Sequence, residues 1–120
     1  PAVSAAAQAR STALLADAVA IELRASARAT RVQALAAYAE ARQLRDVVVP
    51  LRRRVLDETV LQYNAMNASP FELLSARHEL AMSEQALVEA RHQLARALVA
   101  AQALRRGAPL DLPGADHASP

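Results

Sequence analysis

QYNAMNASPFELLSAR, residues 62–77, interrupts a sequence that otherwise runs almost unbroken in Ala, Arg and Leu. Asn64 and Asn67 tolerate left-handed backbone, and Pro70 lacks the N–H that a helix interior needs. The stretch therefore closes one helix and opens another. Ser69 is suited to cap the second helix, Pro70 to its first position, and Glu72 to the first turn beside the positive end of the helix dipole. Ser69 and Glu72 also have the spacing of a capping box. The reversal fixes the fold class, all-α. What remains is whether the turn at 64–69 is only a turn or a presented surface.

Working outward, the second helix is predicted over about 70–106. Leu73, Leu80, Leu87 and Leu94 recur every seven residues, and Ala76, Ser83, Ala90 and Ala97 follow three positions after each. This is a heptad with a large residue at one seam position and a small one at the other, which lets helix axes approach closely. Gly107, followed by Pro109 and Pro113, marks the stop. The last stretch, GAPLDLPGADHASP (107–120), reads as a flexible tail.

The first helix is predicted over about 11–63, roughly 80 Å at about 1.5 Å per residue. Leu44, Val48, Leu51 and Val55 step by four, three and four, and Ala25, Val32 and Ala39 repeat at seven, so these define its expected apolar stripe. Pro50 removes a backbone donor and follows three valines, which predicts a kink or short break near Val47–Leu51. Two helices joined by so short a turn lie antiparallel, giving a long coiled-coil-like hairpin over 1–106. Leu74, Ala81, Val88 and Ala95 form a further stripe beside the heptad seam. One hairpin partner does not cover both, so lateral neighbours are expected.

The composition agrees. Of 120 residues, 53% are apolar, yet aromatics are confined to Tyr38, Tyr63 and Phe71. Abundant Ala favours long, closely packed helices over a thick core. All fourteen basic residues are Arg, but the net charge is only +2. The arginines alternate with acids and no aromatic platform accompanies them, which argues against a nucleic-acid partner. There is no cysteine, so disulfides and thiol chemistry are excluded. No apolar run is long enough to span a bilayer as a helix. The chain opens at Pro1 without Met or a signal-peptide pattern, which reads as a piece of a larger protein.

Catalytic and metal signatures are missing from the pattern. His78 and His92 stand fourteen residues apart and His117 lies in the tail, whereas helical metal pairs need a spacing of three or four. No cofactor, metal or catalytic residue is expected, and the reading is not that of an enzyme. Glu79, Glu84 and Glu89 interleave with Arg77 and Arg91 as expected surface pairs. Arg52-Arg53-Arg54 is either a docking patch or pore-lining charge, or, as the favoured reading, a solvated turn paired with Asp46, Asp57 and Glu58.

The turn differs in character. No Arg occurs between Arg54 and Arg77, while Asp57, Glu58 and Glu72 do, so this end is neutral to acidic. Met66 adds an adaptable apolar side chain. Recognition by another helical protein and a bland tight turn both fit the composition.

Tyr63-Asn-Ala-Met66, with Ser69-x-Phe71-Glu72-Leu73-Leu74-x-Ala76-Arg77, resembles the periplasmic tip motif of TolC-type outer-membrane efflux channels. The approach LRDVVVPLRRRVLDETVLQYNAM (44–66) and the return ELAMSEQALVEARHQLARALVAAQAL (79–104) resemble the helices that flank that tip, and the likeness spans roughly residues 14–107. The chain departs from the family pattern at the glycine common after the Tyr, which is absent, and at the closing Leu-Glu motif, which here reads AQALRRGAP.

The resemblance implies the C-terminal periplasmic hairpin of a larger channel protomer, located in the periplasm and outer membrane of a Gram-negative envelope. Such hairpins line up, commonly in trimers, as an α-helical barrel that acts as a passive conduit. The tip residues Tyr63, Asn64, Met66, Asn67, Ser69 and Glu72 would dock a periplasmic adaptor protein and take part in gating, with an inner-membrane pump engaged indirectly. Two other readings stand beside it: the coiled-coil hairpin of an adaptor itself, and a non-transport coiled-coil scaffold.

Overall fold

The computed structural model describes residues 1–107, and every regular element among them is helical. Helix α1 spans Ala2–Gln43, a π-helical turn covers Leu44–Val48, α2 spans Val49–Asn64 and α3 spans Pro70–Arg105. The arrangement is consistent with a helical hairpin closed by residues 65–69. Helix α1 starts nine residues before the expected position 11, in sequence rich in strong helix formers. The tail predicted over 107–120, His117 included, lies outside the described residues except for Gly107, which ends α3 in left-handed backbone at φ +75°.

The chain divides into two compact units. The larger unit, Gln33–Val99, contains the turn and the best-packed residues. In α3, Ala76, Ser83, Ala90 and Ala97 are buried, and Leu73, Leu80, Leu87 and Leu94 are half-buried. This is the heptad seam expected from the sequence. The small residues sit deepest because a short side chain lets a neighbouring backbone approach before its leucines meet. Ser83 resolves its own polarity by donating from Oγ to the Leu80 carbonyl at 2.8 Å.

The facing stripe of the first strand of helix departs from expectation. Ala34, Ala37, Ala41, Leu44 and Val48 form its upstream part, followed by Val49, Arg52, Leu56, Thr59 and Val60. Leu44 and Val48 are therefore as expected, but Leu51 and Val55 are exposed at 56% and 40%. Ala25, Val32 and Ala39 are also exposed, and the upstream face runs one or two positions out of phase with them.

The cause of the downstream shift is the π-helical turn. The Val49 N–H bonds to the Leu44 carbonyl, five residues back, so one extra residue is accommodated and every later side chain moves on by one position. Pro50 favours this site, because it offers no N–H to the preceding turn. Within the stretch Val47–Leu51, where a kink or short break was expected, Val48 (φ −68°, ψ −52°) and Val49 (φ −63°, ψ −46°) keep helical dihedrals. On the exposed side of the π-helical turn, Arg45 clasps Asp46 through Nε at 2.7 Å and Nη2 at 3.1 Å, with Arg42 Nε at 3.7 Å. The hydrogen bonds from Arg45 hold the Asp46 carboxyl below its ordinary pKa against an opposing desolvation, and the charges of Arg45 and Arg42 add to the lowering.

Two ion pairs link α2 to α3. Arg52 Nη1 donates to Glu79 Oε2, and Arg53 Nη2 to Glu84 Oε1 at 3.0 Å. These replace the expected pairing of the arginine run with Asp46, Asp57 and Glu58, and of Glu79 and Glu84 with Arg77 and Arg91. Glu89 pairs with Arg96, also on α3. The register shift is the cause: moving on by one residue carries Arg52 and Arg53 within reach of α3.

In the other unit, residues 1–25 are exposed throughout, while Ser26, Thr30, Ala100, Ala101, Ala103 and Leu104 are half-buried. Leu15, Val19 and Leu23 form an exposed apolar strip along α1. No helix of the described residues is long and apolar enough to cross a membrane.

Candidate functional site

The turn is built from two capping motifs placed back to back. At the end of α2, the Asn67 N–H bonds to the Gln62 carbonyl at 2.8 Å and the Met66 N–H to the Tyr63 carbonyl at 3.0 Å. This pair of bonds is a Schellman motif, with Met66 in the left-handed position that glycine usually fills. Met66 adopts φ +60°. An L-residue there costs about 1–2 kcal/mol relative to right-handed backbone. The absence of glycine noted in the sequence thus falls on the one residue whose backbone most favours it.

The other motif opens α3. The Ser69 N–H donates to Glu72 Oε2 at 2.6 Å, and the Glu72 N–H donates to Ser69 Oγ at 3.2 Å. Each satisfies a backbone donor that the helix start leaves unpaired. The backbone hydrogen bond, followed by that involving the Ser69 side chain, holds the Glu72 carboxyl below its usual pKa. Ser69 and Glu72 are thus engaged in shaping the turn.

The six candidate residues Tyr63, Asn64, Met66, Asn67, Ser69 and Glu72 all fall on this short segment and all are exposed. Their roles divide. Ser69 and Glu72 cap α3, Tyr63 and Asn67 supply backbone groups to the Schellman motif, and Met66 projects freely at 94% exposure. Phe71, omitted from the candidates, is 85% exposed. As one of the chain's three aromatics, placed in the first turn of α3 and away from the Leu73/Ala76 seam, it carried a signal that could have been read from the helical period.

The site therefore presents two large apolar side chains from a turn with tightly bonded backbone. The one charged side chain shown bonded within the turn is the acidic Glu72, and the chain carries no Arg between Arg54 and Arg77. It offers adhesion and orientation, with no nucleophile–base pair among these residues. His78 and His92 are exposed on α3, and the described residues contain no group of three or more His, Cys, Asp or Glu side chains placed to hold a metal ion. Comparison with protein-family models, with curated proteins and with solved structures returns no match.

Proposed function

We propose that the chain is a long antiparallel helical hairpin from the helical barrel of an outer-membrane efflux channel, a passive conduit whose tip docks a periplasmic adaptor. The observation that carries this reading is the tip: Met66 and Phe71 stand almost fully exposed on a doubly capped turn. Apolar side chains held out on a rigid backbone lose little entropy on binding, which favours recognition. The neutral-to-acidic sequence of this end suits a partner with a basic or neutral helix end. The ion pairs of Arg52 with Glu79 and Arg53 with Glu84, which join residues on either side of the turn, support the antiparallel pairing.

The stripe at Leu74, Ala81, Val88 and Ala95 is exposed, as are Leu15, Val19 and Leu23 on α1. These faces support assembly with further copies, of which a trimer is the form the channel reading implies. The purified chain is expected to self-associate in light scattering at rising concentration, and a monomer throughout would oppose the assembly.

Docking is tested with a cysteine at Asn67, in a chain with no other cysteine. Photo-crosslinking from that position in the source cells is expected to capture an adaptor protein, and failure to do so removes the docking role. Replacing residues 65–67 by Gly-Asn-Gly separates the alternatives: a docking tip loses export, whereas a coiled-coil scaffold retains its activity.

A further inference from the structure

The chain contains two apolar stripes on the same helix that differ by one residue. The occupied one passes through Val49, Arg52, Leu56 and Val60, with Thr59 half-buried at its edge, and the π-helical turn at Leu44–Val48 selects it. Without that turn, an uninterrupted α-helix continues the upstream face Ala37, Ala41, Leu44 and Val48 into Leu51, Val55 and Thr59. We propose that α2 is a two-register segment: loss of the π-helical turn rotates it by one residue, roughly 100°, and exchanges these two stripes against α3.

The two registers are closely matched in chemistry. The exchange puts Val55 in place of Leu56, a small loss of volume, and lets Val48 and Thr59, already half-buried beside the occupied stripe, take the places of Val49 and Val60. It also puts Leu51 in place of Arg52, which adds apolar surface to the seam. Rotation on the other side of the π-helical turn is much less well matched. Turning residues 33–43 instead would bring Leu35, Tyr38 and Arg42 to a face now made of Ala34, Ala37 and Ala41, against a seam whose deepest members are alanines. Movement therefore falls to α2.

Charge distinguishes the registers. In the occupied one, Arg52 pairs with Glu79 and Arg53 with Glu84. After rotation Arg52 takes the place of Arg53 beside Glu84, and Leu51 faces Glu79, so one pair is lost. The Arg42–Asp46 and Arg45–Asp46 pairs join residues of one helix at spacings of four and one, and serve either register. Pro50 adds to the bias, since an α-helical turn would leave a carbonyl without the donor that a non-proline residue provides. Because α2 runs directly into the Schellman motif at Gln62–Asn67, its rotation must re-form the turn and move Met66. The π-helical turn and the tip are thereby coupled through sixteen residues of helix.

Maleimide labelling of single-cysteine chains, Val55→Cys and Leu56→Cys, reads the register directly. At low salt the cysteine at 55 is expected to react faster than that at 56. Glu79→Gln with Pro50→Ala removes both biases, and the order is expected to reverse while circular dichroism stays helical. Retention of the original order in that helical background overturns the proposal. Should the combined variant lose helicity, the unaltered background at about 1 M salt decides: the ratio of rates is expected to fall about twofold, as loss of one exposed ion pair of about 0.5 kcal/mol implies, and an unchanged ratio overturns the proposal. Deleting Val47 removes the extra residue and locks the occupied register, so its ratio should be insensitive to salt. A salt-dependent ratio in the deletion chain also overturns the two-register model.

Discussion

Ser69 and Glu72 bond each other's backbone amides across the first turn of α3, at 3.2 Å to the hydroxyl and 2.6 Å to the carboxylate. The pair makes the restart of the helix a defined joint. Ser69→Ala is expected to lower stability by about 1 kcal/mol, measured by urea unfolding at neutral pH.

Glu72 gives that joint a pH dependence. Its folded-state pKa is depressed, so its stabilisation is complete above the ordinary value of about 4.5 and is lost as pH falls through the lower folded-state value. Unfolding midpoints for the native chain and Glu72→Gln are expected to converge in acid and separate as pH rises past that ordinary value. Parallel curves would show that the carboxylate charge does not support the cap.

Met66 offers the opposite sign. Met66→Gly removes an exposed side chain from left-handed backbone and is expected to raise stability by about 1 kcal/mol. Met66→Val, with a branched Cβ at the same φ, is expected to lower it. If the tip docks an adaptor, Met66→Gly weakens export while strengthening the fold, a combination that a loss of folding cannot imitate.

The depth of the seam is tested at Ala90, which is 3% exposed. Ala90→Leu is expected to cost about 1–3 kcal/mol by overpacking. Ala81→Leu, on the exposed stripe of the same helix, is expected to leave monomer stability nearly unchanged and to strengthen self-association, as read by sedimentation.

Arg52 and Glu79 have side chains a little under half exposed. A double-mutant cycle to alanine at these positions is expected to return a coupling of about 0.5 kcal/mol that shrinks with added salt. The small value matters because it leaves the choice of register open to modest influences.

The sequence carried the α3 seam legibly, since leucines and small residues alternate there on a strict seven-residue period and the helix obeys it. The capping box was equally legible, because both hydrogen bonds arise within four consecutive residues. Leu51 and Val55 misled for a physical reason: their spacing from Val48 is correct for an α-helix, and the π-helical turn adds a residue that apolar periodicity does not record. The partners of Arg52 and Arg53 were hidden by the same shift, since they depend on long-range register. Phe71 belongs to the tip motif, but its exposure follows only from its place on the helical period, away from the Leu73/Ala76 seam.

The alanine-rich seam has a calorimetric consequence. No side chain among the described residues is fully buried, and the buried apolar positions are Ala37, Ala41, Val49, Ala76, Ala90 and Ala97. Unfolding such a molecule hydrates little new hydrocarbon, so its heat-capacity increment falls below the usual ~12–15 cal/mol/K per residue. A small increment flattens the stability curve. Cooling is accordingly expected to weaken the chain far less than it would a protein with a thick core.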